Sequence, residues 1–147
     1  MNPDSATADA PVPQGDYASA RVVCGLVYTA GMTPRSGGGL TARGVLGAEL
    51  GVGDGRSLAR LAARRAVAAG RQAAEAEGLE PASAVSMTVY VAATADFTQH
   101  SQVADGASAA VRELLGGPPP ARTAIGVASL PSGAPVEVSL VLATSGG

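Results

Sequence analysis

An α+β domain, an open sheet covered on one face by two helices, is the fold class this sequence predicts, and three observations predict it. Two segments, near residues 57–77 and 98–115, carry apolar residues at helical spacing, and the first is built almost wholly of Ala, Leu, Arg, Gln and Glu. The remaining ordered segments are short, rich in Val, Ile, Leu and Thr, and broken by Gly and Pro, giving the order strand, strand, helix, strand, helix, strand, strand. Helices so poor in aromatic residues cannot cover both faces of a sheet, so both are placed on one face. The other, rich in Val, Ala and Gly, is left wanting a partner subunit.

The elements follow in order. Residues 1–14, polar and punctuated by proline, read as a disordered tail, and 15–144 as one domain. ARVVCGLVYTA, residues 20–30, reads as a strand, a turn or bulge at Gly25, and a second strand. Residues 33–39, TPRSGGG, read as a flexible loop, and 40–50 are ambiguous between a short strand and irregular chain. Ser57 is placed at the cap of the first helix and Gly78 at its end, with Arg60, Arg64 and Arg71 on a solvated face. In residues 84–92, Val85, Met87, Val89 and Val91 alternate with polar residues, which makes a strand with one apolar face. The second helix ends at Gly-Gly-Pro. The final strands, within residues 118–143, are expected to form a pair.

Composition excludes several function classes. A net charge of −2, three Tyr, one Phe and no Trp supply neither a basic field for phosphates nor platforms for stacking bases, so nucleic acid is not an expected partner. The single cysteine, Cys24, permits no internal disulfide, reads as a buried inert thiol, and fits a reducing cytoplasm. The N-terminus lacks the basic and apolar regions of a secretory signal, and no apolar run approaches the ~20 residues of a membrane helix. GVGDGR places Arg56 where a dinucleotide fingerprint needs Gly or Ala, so a loop is preferred there. His100, the only histidine, reads as an exposed helix residue, and too few ligands exist for a metal site. No metal and no other cofactor is expected.

The chemistry concentrates in the last two strands. Alternation puts Arg122 on one face with Ala124, Gly126 and Ala128, a cation over a floor of small residues, while Thr123, Ile125 and Val127 make the greasy face. Glu137 and Ser139 lie opposite the run Val136, Val138, Leu140 and Leu142. Taken alone, Arg122 reads as a surface ion pair. The small floor and the stiff Pro-Pro-Pro-Ala entry together point instead to a rigid receptor for a carboxylate.

At these residues the chain resembles the reactive intermediate deaminase (RidA, or YjgF) family. GDY at 15–17, VYTAGMTP at 27–34, TVYVAATADF at 88–97, PARTAIGVASLP at 120–131 and APVEVSL at 134–140 look like its signature blocks, in the family's order, and Pro-Ala-Arg-Thr with a Glu fifteen residues after the Arg is the most specific. The resemblance implies a chorismate-mutase-like domain with a mixed sheet, assembled as a homotrimer with sites between subunits. It implies hydrolysis of enamines and imines of small carboxylates to keto acids and ammonia, without a metal or organic cofactor; some relatives carry the name endoribonuclease.

Residue by residue, the resemblance makes Arg122 the anchor for the substrate carboxylate and Glu137 the acid or base at the reacting carbon. Tyr17 and Gly31 match residues lining the site. Ser101 stands where the archetype has Asn and Ala124 where it often has Cys, and the stretch 38–55 is longer, so the chain looks like a divergent branch. The alternative reading is a non-catalytic trimer that binds a carboxylate metabolite or a pathway partner.

Overall fold

The computed structural model describes residues 11–145. Most of the expected N-terminal tail therefore lies outside the described residues. At its end Pro11 is buried, and its carbonyl accepts a hydrogen bond from Ser19 Oγ at 3.2 Å.

Strands β1 (Ala20–Val23), β2 (Leu26–Thr29), β5 (Glu80–Ala92), β6 (Ala121–Val127) and β7 (Val136–Ser145) form one sheet. Strands β3 (Arg35–Ser36) and β4 (Gly39–Leu40) make a separate hairpin, and α1 (Val52–Ala76) and α2 (His100–Leu115) complete the fold. The sheet order is β1-β2-β7-β5-β6; β5 and β6 run parallel and every other pairing is antiparallel. The mixed sheet with two helices is the α+β architecture expected. The last two strands do not pair, however: β5 lies between them, because α2 carries the chain over the sheet and returns it parallel to β5.

Buried Met87, Val89 and Val91 of β5 and Val136, Val138, Leu140 and Leu142 of β7 face the helices. From α1 they meet chiefly alanine, with Ala59, Ala62, Ala63 and Ala66 all fully buried. Side chains this small let backbones approach closely. A Cβ on Gly70 would meet Leu142 Cδ1 at 2.6 Å, and one on Gly106 of α2 would collide with the Arg56 carbonyl of α1. The glycine run before the first helix belongs to this packing. The helix begins at Val52, five residues before Ser57, with Asp54 accepting from the Gly51 amide at 2.9 Å. Gly55 then lies in the helix, against Leu46 and Val103.

Four local expectations are revised. Cys24 is exposed, at φ 51°, and with Gly25 at φ 77° it forms the tight β1–β2 turn, so the thiol is not buried. Residues 33–39 contain part of an ordered hairpin rather than only flexible loop, because Gly37 and Gly38 supply the positive φ of a two-residue turn. In β5 the register shifts between Ala84 and Ser86, so Ala84 takes the buried place and Val85 is 45% exposed. The arginine face of α1 is engaged with α2 rather than merely solvated. Arg60 donates through both terminal nitrogens to Glu113 and holds its carboxyl below the usual range, and Arg71 donates to the Leu114 carbonyl. Among the described residues no helix is long and apolar enough to cross a membrane.

Candidate functional site

The pairing that fixes the fold also decides where each candidate side chain points. Glu137 sits opposite Tyr90 in β5, while Arg122 sits opposite Met87, whose side chain is buried beneath the helices. Partners in register share a face of a sheet. Arg122 therefore leaves the helix-covered face and Glu137 the open face, so one chain does not bring the two together.

Glu137 is held by chain geometry on its own side. Beyond β2 the backbone runs alongside β7, where Met32 and Val138 exchange amide hydrogen bonds of 2.8 and 2.9 Å. That pairing presses Gly31 onto Glu137: a Cβ at Gly31 would lie 2.5 Å from Glu137 Oε2 and 2.7 Å from its Cδ. Only glycine admits the carboxylate so close to the backbone. Burial pushes the Glu137 carboxyl above its ordinary value. Tyr17 and Gly31 both line a small cavity of about 30 Å³, shared with Met32, Thr33 and Arg65. Tyr17 is anchored there, its hydroxyl accepting from the Gln14 amide at 3.1 Å. Tyr17 and Gly31 thus share a cavity, and Glu137 packs against the Gly31 backbone.

Of the remaining candidates, Ser101 and Arg122 are hydrogen-bonded, and Ala124 follows two residues along β6. Arg122 and Ala124 project from the same face of β6 beneath α2. The floor of small residues is explained differently from the sequence reading. A Cβ at Gly126 would meet His100 Nε2 at 2.6 Å, so the smallness there admits a histidine ring from α2 rather than leaving empty room. That ring also packs edge-on against Phe97 at 5.3 Å, so His100 is not simply an exposed helix residue. An open cleft of about 580 Å³ lies beside it, lined by Thr94, Phe97, His100, Gly126 and Ala128 among others. The expected greasy face of β6 is the uncovered one, where Ile125 is 46% exposed.

The guanidinium of Arg122 is gripped by α2. Nη1 donates to Asp105 Oδ1 at 2.8 Å and Ser108 Oγ at 2.9 Å; Nη2 donates to Ser101 Oγ at 2.8 Å and more weakly to the Ser101 carbonyl at 3.3 Å. The plain reading of Arg122 as an ion-paired residue thus holds within the chain. Ser101, a candidate by resemblance, bonds to Arg122, while Asp105 and Ser108 were missed. Their signal was present: 101, 105 and 108 follow the i, i+4, i+7 spacing that puts three polar side chains on one face of a helix. Among the described residues, no three His, Cys, Asp or Glu side chains gather where they could share a metal ion.

An arginine gripped by hydroxyls on one face and a half-buried carboxylate against a glycine backbone on the other are groups suited to bind and protonate a small polar molecule. The comparisons place the chain in a family. The model of the endoribonuclease L-PSP family matches residues 7–144, and the chain belongs to that family. A Trypanosoma cruzi protein called TCP17 is 36% identical over 118 residues, 79% of this chain and 73% of that one. Among solved structures, an Agrobacterium tumefaciens protein of unknown function, Atu1372, superposes with a TM-score of 0.81 at 27% identity, covering 89% of this chain and 83% of its own. Escherichia coli TdcF with bound serine gives 0.66 at 21% identity, covering 96% of each chain. RidA from a Psychrobacter species gives 0.58 at 24% identity, covering 95% of each. These last two likenesses speak for the fold, and the RidA/YjgF resemblance read from the sequence blocks agrees with them.

Proposed function

We propose that this protein is a deaminase that hydrolyses reactive enamines and imines of small carboxylates to keto acids and ammonia. The observation that carries the reading is the contact of Glu137 with the Gly31 backbone: a half-buried carboxylate with its proton affinity raised, packed against a main chain that bears no side chain. A base whose proton affinity moves toward the working pH accepts a proton more readily while still ionised. Arg122 binds the substrate carboxylate through the planar fork that a lysine lacks. Glu137 then orients water toward the iminium carbon and takes its proton. Glu137 returns that proton to the amine, the hydroxyl gives up its own to water as the C=O bond forms, the C–N bond breaks, and nitrogen leaves as ammonia.

Because Arg122 and Glu137 lie on opposite faces of the sheet, the reading requires more than one copy. A homotrimer in which Arg122, Ser101 and Ala124 of one subunit meet Tyr17, Gly31 and Glu137 of the next would supply it. The exposed Tyr28 and Ile125 on the uncovered face favour such burial. TdcF, with serine bound, is a relative in fold that holds a small amino acid, which supports a ligand of this size.

To test the reading, an amino-acid oxidase generates an imino acid in situ, and its disappearance is followed with wild type, Arg122→Ala and Glu137→Ala. Acceleration by wild type and loss in both variants is expected; an Arg122→Ala protein as fast as wild type would overturn the assignment. A second reading, a non-catalytic carboxylate-binding protein, draws support from Ser101, which stands where the archetype has Asn and is bonded to Arg122. Calorimetric binding of keto acids without turnover on a panel of imines would favour it.

A further inference from the structure

We infer that Asp105 is a specificity-determining residue at Arg122: a displaceable internal carboxylate that makes the site prefer acids bearing a cationic nitrogen, an iminium or ammonium, over the corresponding keto acids. The inference rests on the reading above that Arg122 receives the ligand's carboxylate.

A guanidinium has four terminal N–H donors and one on Nε. The two on Nη1 match Asp105 and Ser108, and the two on Nη2 match the hydroxyl and carbonyl of Ser101, so a ligand carboxylate reaches the fork only by exchange. Of these partners Asp105 is the one a ligand replaces in kind, oxygen for oxygen and charge for charge. Its side chain is 56% exposed, against 22% for Arg122, so it swings into solvent without disturbing the helix–strand contact.

The outcome of exchange depends on the ligand's other end. A keto acid takes the arginine and leaves Asp105 as an unpaired carboxylate beside its own, a like-charge contact that disfavours binding. An acid with a protonated nitrogen on its α-carbon offers the displaced Asp105 an N–H⁺ donor, so both charges remain paired. The same residue therefore retains an iminium substrate and, once nitrogen has left, returns to Arg122 and releases the keto acid. Asp105 stands at i+4 and Ser108 at i+7 from Ser101, on the helix face that grips the guanidinium, so Asp105 is next to any carboxylate that takes its place on Nη1.

Alanine and pyruvate share a carbon skeleton and differ in the nitrogen, so they serve as probes. Their binding is measured by calorimetry to wild type, Asp105→Asn, Ser108→Ala and Arg122→Ala, each checked for folding by thermal melting. Asp105→Asn keeps the shape and a hydrogen-bond acceptor while removing the charge. The expected result is that it tightens pyruvate and weakens alanine, moving the ratio of the two dissociation constants by about tenfold, or ~1.4 kcal/mol. Ser108→Ala removes the other Nη1 acceptor without a charge and leaves the ratio unchanged. If Asp105→Asn shifts both ligands equally or neither, or Ser108→Ala changes the ratio as much, the inference falls while Arg122 keeps its role. If Arg122→Ala binds both probes as wild type does, or wild type binds neither, the reading of Arg122 falls and the inference with it.

Discussion

Gly31→Ala tests the candidate site most directly, because its effect is steric. The Gly31 backbone lies outside the left-handed region, so alanine adds no conformational strain, only a methyl group. That methyl would lie 2.5 Å from Glu137 Oε2, 2.7 Å from Cδ and 2.9 Å from Cγ. To reach an ordinary contact the carboxylate must retreat by about 1 Å. Since the obstacle is the end of a flexible side chain, stability changes little. The crowding costs about 1 kcal/mol, and the reduced freedom of the unfolded chain offsets about 0.4–1 kcal/mol of that. Catalysis is more sensitive, because a 1 Å misplacement of a reacting group lowers rates about 10²-fold, or ~2.7 kcal/mol of barrier. The expected result is a kcat/KM about two orders of magnitude below wild type in the imine-disappearance assay, with a melting temperature within a few degrees of wild type. In a Glu137→Ala background the same substitution should do nothing further, since the group it displaces is gone. A Gly31→Ala protein as active as wild type, or an added hundredfold loss in the Glu137→Ala background, would refute the placement of Glu137 as the working carboxylate.

Two further predictions concern packing and pH. Gly106→Ala sets a Cβ against the Arg56 carbonyl of α1, a backbone atom that cannot rotate away, so the helices must separate; a loss of about 3 kcal/mol, seen as a melting temperature about 6–12 °C lower, is expected, and an unchanged one would contradict the close crossing. Burial raises the Glu137 carboxyl above its unfolded value, so its contribution to stability is fully present below the ordinary carboxylate range and is lost as pH rises through the raised value. Glu137→Gln should accordingly melt near wild type at about pH 3.5 and above it at about pH 8, whereas equal melting at both would mean the carboxylate is not desolvated.

Much of the architecture was legible because local physics wrote it. Helical spacing in α1 and α2, alternation through Met87, Val89 and Val91, and glycine punctuation follow from side-chain periodicity, which depends on no distant contact. Errors arose where tertiary contact overrode it. The start of α1 was misplaced because Gly51, Gly53 and Gly55 read as loop, while packing of Gly55 against Leu46 and Val103 rewards a helix there. Val85 was misassigned because a bulge is invisible to a period-2 rule.

By itself, the sequence determined the α+β class and the family, and it nominated the candidate residues: Arg122, Glu137, Tyr17, Gly31 and Ala124 fall in recognisable blocks, and Ser101 follows from where the second helix is placed. Only the tertiary structure decided how they are shared out. Alternation along a strand tells which residues share a face with one another, but not which face the helices cover, nor which strand lies next to which. Inserting β5 between β6 and β7 turns Arg122 toward α2, into the grip of Asp105, Ser108 and Ser101, and leaves Glu137 against Gly31 on the other side. That separation depends on strand order and register, which are set by contacts between residues far apart in the chain.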